Sequence, residues 1–356
     1  MLPDAISPSR LRRALVIKLR HHGDVLLASP VFSVLKRAAP DCEIDALVYV
    51  DTASMLEHHP AISQIHHIDR NWKHLGRTAQ IGAEWRLLKT LRARGYDLVI
   101  HLTEHRRGAW LTRLLRPHWS VAPRQRSNFW RSSFTHLTPW ASHPRRHTVE
   151  THLDALRRLG IQPVEDDKRL VLVPGIAAET RVAALLDEKG LRERAFVHLH
   201  PGSRWPFKCW PTEKVAQLAD ALSARDLTIV LTAAPSAQEF ALVDALRKSM
   251  QTSVVDLSGQ LSLRELAVLT SKAKLFIGVD SAPMHIAAAM GTPVVTLFGP
   301  SGDIEWGPWR VKHRIIVSDA HPCRPCGLDG CGGGKISECL TALSVEQVLA
   351  ACVELL

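Results

Sequence analysis

The sequence predicts an α/β protein made of two tandem units, and three observations carry that expectation. Its 356 residues exceed what one hydrophobic core ordinarily serves. Short β-rich apolar runs alternate with amphipathic stretches, the signature of mainly parallel sheets joined by helical crossovers. The alternation runs once up to about residue 175 and then begins afresh.

In the first unit, Ala14–Leu19 reads as a strand, Arg20-His21-His22-Gly23-Asp24 as a tight turn, and Val25–Ala39 as an amphipathic helix. Strand-like runs at Glu43–Tyr49 and Asp97–Leu102 alternate with helical patterns at Ile81–Arg94 and Thr148–Leu159, the last ending at Gly160 as at a C-cap. The second series has strands at Ala195–His200, Leu227–Leu231, Ser253–Leu257, Lys274–Val279 and Pro293–Phe298. Helices are expected between them at Thr212–Ala224, Ala237–Lys248, Ser262–Lys272 and Ala282–Met290. Loops dominate from Gly299 to Leu340, and a short helix from Ser344 to Leu355 closes the chain. The expected domains are 1–175 and 176–343, with the 344–356 helix free to pack back toward the first.

Composition excludes several classes. Hydrophobic residues at 46% and charged residues at 22% are ordinary globular usage, which argues against disorder and fibrous repeats. No run approaches about 20 uncharged apolar residues, and the charged N-terminus is unlike a secretory leader, so an intracellular protein is expected. Seven cysteines, four of them between 323 and 339, do not form a chain-wide disulfide framework and fit a reducing compartment.

Net charge is +10, and it is unevenly spread: residues 1–170 carry +11 and the remainder −1. Between Glu104 and Glu150 there is no acidic residue, against nine arginines and four tryptophans, Trp110, Trp119, Trp130 and Trp140. A solvated basic face with core tryptophans accounts for this, and so does a surface for an anionic, membrane-borne partner; duplex DNA fits less well, because no recognition helix is present.

Three segments can do chemistry. Asp24 lies in the turn at the carboxyl end of the first strand, where open α/β sheets place ligands; it reads either as a general base or as a helix N-cap. The second is Pro201–Pro211 after a strand, where Gly202, Ser203, Arg204 and Lys208 offer close backbone approach, a hydroxyl and two cations, the groups a diphosphate needs. The third is Phe276–His285: a strand ending at Asp280-Ser281 opens a helix whose N–H groups suit an anion, with His285 one turn on.

Together these segments resemble glycosyltransferase family 9, the lipopolysaccharide heptosyltransferases. The resemblance rests on Val16–Asp24 with Ser29-Pro30, on His200–Pro211, and on Phe276–Pro300 followed by Trp306 and Trp309. Within the family, the His-His-Gly-Asp turn and the Ser203–Trp210 and Gly278–His285 segments are most similar to the branch that adds the third, side-branch heptose. The resemblance implies a GT-B architecture of two facing Rossmann-like domains with a cleft between them, donor on the C-terminal one and acceptor on the N-terminal one. It implies an inverting, metal-independent transfer from ADP-L-glycero-β-D-manno-heptose to the lipopolysaccharide inner core, at the cytoplasmic face of the inner membrane with peripheral contact. Asp24 falls on the family's general-base position, Lys208 and Ser203 on its diphosphate loop, and Asp280, Ser281, Ala282 and His285 on its donor turn.

By position, Asp256 could accept from a ribose hydroxyl. The acceptor-binding candidates are His21, His22 and Gly23 of the first turn with Arg106, Arg107, Arg124 and Arg126. Cys323, Cys326, Cys331 and Cys339 leave two readings, a structural zinc or reduced thiols; the second is favoured because closed zinc sites show two tight pairs. No cofactor is expected for catalysis, and two alternatives stay open: a family transferase for the first or second heptose or for another sugar nucleotide, and a non-enzymatic nucleotide- or phospholipid-binding protein.

Overall fold

The computed structural model describes residues 3–139 and 145–356, and the chain divides into two compact units after Val173. The first unit holds one parallel sheet of six strands: β1 (Arg13–Ile17), β2 (Glu43–Tyr49), β3 (Gln64–Ile68), β4 (Leu98–His101), β5 (Trp119–Pro123) and β6 (His136–Thr138). Their order is β3-β2-β1-β4-β5-β6. The second unit repeats this plan with β7 (Phe196–His200), β8 (Thr228–Leu231), β9 (Val255–Asp256), β10 (Leu275–Val279), β11 (Val294–Leu297) and β12 (His313–Ile316), ordered β12-β11-β10-β7-β8-β9. Both orders are the Rossmann 3-2-1-4-5-6, so each sheet reverses direction beside its first strand. Those two switch points, β1 against β4 and β7 against β10, are where ligands are expected.

The strands at the switch points are covered on both faces, which is why Ala14–Ile17 and Leu275–Val279 read as unbroken apolar runs with every side chain buried. Edge strands are less legible. The half-exposed β3, the short β6 and the sparsely buried β12 escape a reading based on apolar runs, as does β5, which carries Trp119 and Pro123. The expected Val25–Ala39 helix is instead two, His22–Leu26 and Ser29–Ala38. Pro30 sets the break: it has no N–H to donate, and it takes the N2 position of the second helix, where none is required.

The C-terminal helix, Val345–Leu355, is fixed by a capping box between Ser344 and Gln347. The sequence alone allows it to pack toward the first domain; its buried face, Val348, Ala351, Cys352 and Leu355, belongs to the core of the second unit, with Trp210, Leu231 and Leu340. Among the described residues no helix is long and apolar enough to cross a membrane.

Candidate active site

In the first unit the switch point is occupied by charge. β1 ends at Ile17, and the next residue, Lys18, is buried with its Nζ 3.5 Å from Asp24 Oδ1. The two alternatives for Asp24 can now be separated. The N-cap of the His22–Leu26 helix is His21, no side chain caps it, and Asp24 stands a residue inside the first turn. The carboxylate is thus not consumed in ending the helix. It is 17% exposed, open enough to meet a substrate hydroxyl.

Neighbouring loops hold the turn. His22 Nε2 lies 2.7 Å from the Asp51 carbonyl, and Arg70 donates to the Arg20 carbonyl at 2.7 Å and to the Asp51 carboxylate while covering the Tyr49 ring. Gly23 is buried. The remaining acceptor candidates sit farther along the chain. Arg106, Arg124 and Arg126 are exposed, whereas Arg107 is ion-paired with Glu84 of the Arg77–Arg94 helix. Of the four tryptophans, Trp130 is core, Trp119 half-buried and Trp110 exposed, while Trp140 lies outside the described residues.

In the second unit the switch point brings two of the sequence-predicted segments together. The loop after β7 carries Lys208, whose Nζ lies 2.5 Å from Asp280 Oδ2 at the end of β10. Ser281 then caps the Ala282–Ala289 helix without a side-chain bond to it, its Oγ donating to Val279 O instead, and Ala282 and buried His285 follow in that helix. Lys208 also borders a cavity of about 550 Å³ walled by Trp205, Phe207, Trp306 and Glu305, within the range of small-molecule sites. Ser203 is buried and accepts from the Trp205 N–H, while exposed Arg204 has its guanidinium over the Trp205 ring.

Gly202 also makes room within the protein: a Cβ there would lie 2.6 Å from Glu239 Oε2. What the glycine accommodates is a buried carboxylate. Glu239 Oε2 accepts from the Ala234 N–H at 2.7 Å and lies 3.7 Å from His200 Nε2. Burial raises the Glu239 carboxyl above its ordinary range and pushes His200 down to about 4. Sequence reasoning missed Glu239 because Ser236-x-x-Glu239 has the form of a capping box; Ser236 does cap the helix, yet the glutamate side chain turns to Ala234 instead.

Asp256 lies at the end of the edge strand β9, where its carboxylate accepts from the Ser258 N–H at 2.9 Å and from Arg247 at 3.3 Å. The cysteine loop contains no disulfide: Cys323, Cys326 and Cys331 are exposed and Cys339 is buried. Among the described residues no group of three or more His, Cys, Asp or Glu side chains is placed to hold a metal ion.

Also missed were Lys18 and His152. A lysine inside an apolar strand run is itself a signal, since lysine is almost never fully buried without a partner. Its partner His152 is 134 residues away and could not be paired with it by inspection.

Residues 84–336 match the model of glycosyltransferase family 9 (heptosyltransferase). The chain belongs to glycosyltransferase family 9. It is a glycosyltransferase, and its two α/β units are the Rossmann-like halves that the family resemblance implies. It is 39% identical to lipopolysaccharide heptosyltransferase 3 of Escherichia coli K12 over 295 residues, covering 82% of this chain and 83% of the relative. Among solved structures it resembles the glycosyltransferase family 9 protein of Veillonella parvula, with a TM-score of 0.84, 24% identity and 99% of each chain covered. It also resembles E. coli heptosyltransferase WaaC with ADP, with a TM-score of 0.73 at 20% identity, covering 97% of this chain and all of that one. These two likenesses concern the fold.

Proposed function

We propose that this family 9 enzyme transfers L-glycero-D-manno-heptose from ADP-heptose to a heptose of the lipopolysaccharide inner core, with inversion, as a heptosyltransferase of the third, side-branch type. The observation that carries the reading is Asp24: a carboxylate at the switch point of the first sheet, committed to no cap and open to a substrate. It takes the proton of the acceptor hydroxyl as that oxygen attacks the anomeric carbon from the face opposite the departing ADP. The oxygen–hydrogen bond breaks, the new glycosidic bond forms, and the bond to the β-phosphate breaks with its electrons leaving on ADP.

The donor is assigned to the second unit. Lys208, at the edge of the aromatic-walled cavity, supplies positive charge for the departing diphosphate, and the Ser281–His285 turn supplies helix N–H groups. The acceptor is assigned to the first unit, whose surplus of positive charge suits a phosphorylated inner core. The third-heptose assignment draws on the quoted motifs and on the 39% identity to a heptosyltransferase 3.

The test uses ADP-heptose with cores truncated after one, two or three heptoses, following ADP release and product mass. Transfer only to the two-heptose core is the expected result. Transfer only to a shorter core would reassign the enzyme to another heptose position, and no transfer to any core would overturn the donor or the acceptor class.

Membrane contact at the cytoplasmic face belongs to the same reading. The Arg77–Arg94 and Arg106–Leu115 helices are linked by the Glu84–Arg107 ion pair. They expose Ile81, Trp85, Trp110 and Leu114 among Arg86, Lys89, Arg106 and Arg113. Aromatic side chains interleaved with arginines suit an anionic lipid surface, and such docking weakens with salt. The wild type is expected to sediment with phosphatidylglycerol vesicles at low salt and not with phosphatidylcholine vesicles, and Trp85→Ala/Trp110→Ala to remain in the supernatant. Equal sedimentation of this variant would remove these helices as the contact.

A further inference from the structure

The Asp24 carboxylate is held by a buried lysine. Lys18 Nζ lies 3.5 Å from Asp24 Oδ1, 2.9 Å from His152 Nε2 and 3.2 Å from the Leu102 carbonyl. An ammonium has three N–H bonds and no lone pair, and here it meets three acceptors. His152 can accept only if its Nε2 is unprotonated. The other side of its ring settles this, because Nδ1 lies 3.0 Å from the Leu27 carbonyl, which can only accept, so the proton is on Nδ1. Burial, aided by the adjacent lysine, holds His152 well below the ordinary histidine range and keeps the ring neutral.

We propose that Lys18, anchored by neutral His152, is a positioning residue for the Asp24 general base: it occupies Oδ1 and leaves Oδ2 to receive the acceptor's proton. The inference rests on the reading of Asp24 as the base. The parts come from separate elements: β1 delivers Lys18, the His22–Leu26 helix delivers Asp24, and the Thr148–Arg158 helix delivers His152. A side chain on a loop or a solvated helix face would not be held this way. Lys18 is almost completely buried and cannot exchange these partners for water.

The arrangement has a pH limit. Burial is the largest influence on Lys18 and lowers it from 10.5 to about 8, against the favourable charge of Asp24. Glu104, just beyond β4, acts with Asp24, and Arg20 in the turn acts against them; His101 of β4 and His152 are buried, and His101 is itself pushed down to about 4. Above about pH 8, then, Lys18 gives up its proton and its hold on the carboxylate. Turnover falls on the alkaline side, with the acid side left to other groups.

The experiment compares kcat, KM and the pH profile for wild type, Lys18→Met, His152→Gln and His152→Leu, with Asp24→Asn as reference. Lys18→Met is expected to lower kcat about 10²-fold, the scale of a misplaced catalytic group, with KM for both substrates held and the alkaline limb near pH 8 abolished. His152→Gln restores an acceptor for Lys18 and retains most turnover, whereas His152→Leu fills the space without one and behaves like Lys18→Met. Should Lys18→Met misfold, the His152 pair still decides: equal kcat in His152→Gln and His152→Leu overturns the proposal. Wild-type-like kcat in Lys18→Met, with Asp24→Asn inactive, overturns the support and leaves the base standing. An active Asp24→Asn overturns the base itself.

Discussion

Asp24→Asn is expected to slow transfer sharply while leaving donor binding intact. The substitution keeps the shape of the side chain but removes its charge and with it the ability to accept a proton, so kcat is expected to fall about 10²- to 10⁴-fold, the usual worth of a general base. Two features keep the helix and the donor site out of the result, and the melting temperature reports the cost of removing the charge beside buried Lys18. The His22–Leu26 helix is capped at His21 and draws no side-chain bond from Asp24, so the helix does not unravel with the charge. The diphosphate-binding candidates lie just beyond β7 and β10 of the other unit, so the affinity for ADP, read by calorimetry, should be that of the wild type. An asparagine variant with undiminished ADP release would show that the acceptor's proton leaves by another route. A loss of ADP binding together with a lower melting temperature would trace the effect to the fold.

What could be read from the sequence follows the physics of each element. Buried parallel strands announce themselves, because two covered faces demand apolar side chains at every position, as in Ala14–Ile17 and Leu275–Ile277. Half-exposed edges such as Gln64–Ile68 carry no such demand and were not legible. The same logic governs the site. Asp24, Lys208 and Asp280 stand in the turns after switch-point strands, so their placement follows from strand position alone. Lys18 and His152 were hidden because their pairing depends on a long-range contact between a strand and a distant helix. The fit of Gly202 against Glu239 was hidden for a related reason: the two lie on different elements, and a sequence does not show which neighbour a glycine makes room for.

Lys208→Met is expected to lower turnover about 10²- to 10³-fold, comparable to removing a donor that stabilises charge on a leaving group. The difficulty lies in interpretation, because Lys208 has two tasks. It neutralises Asp280, which is only 9% exposed, and it faces the aromatic-walled cavity assigned to the donor. Removing the lysine strands a nearly buried carboxylate, so some of the loss would come from the protein and not from the chemistry. The two can be separated by a double-mutant cycle with Asp280→Asn. If Lys208 serves only to compensate Asp280, then replacing both relieves the stranded charge and turnover returns with the melting temperature. If Lys208 acts on the departing diphosphate, the double variant regains stability but not turnover, and Asp280→Asn alone, which keeps the cation, is the least impaired of the three. The second pattern is expected, because the switch point of the second sheet places the lysine in the loop beyond β7, where it can turn from Asp280 to a phosphate without any change in the strands that carry them.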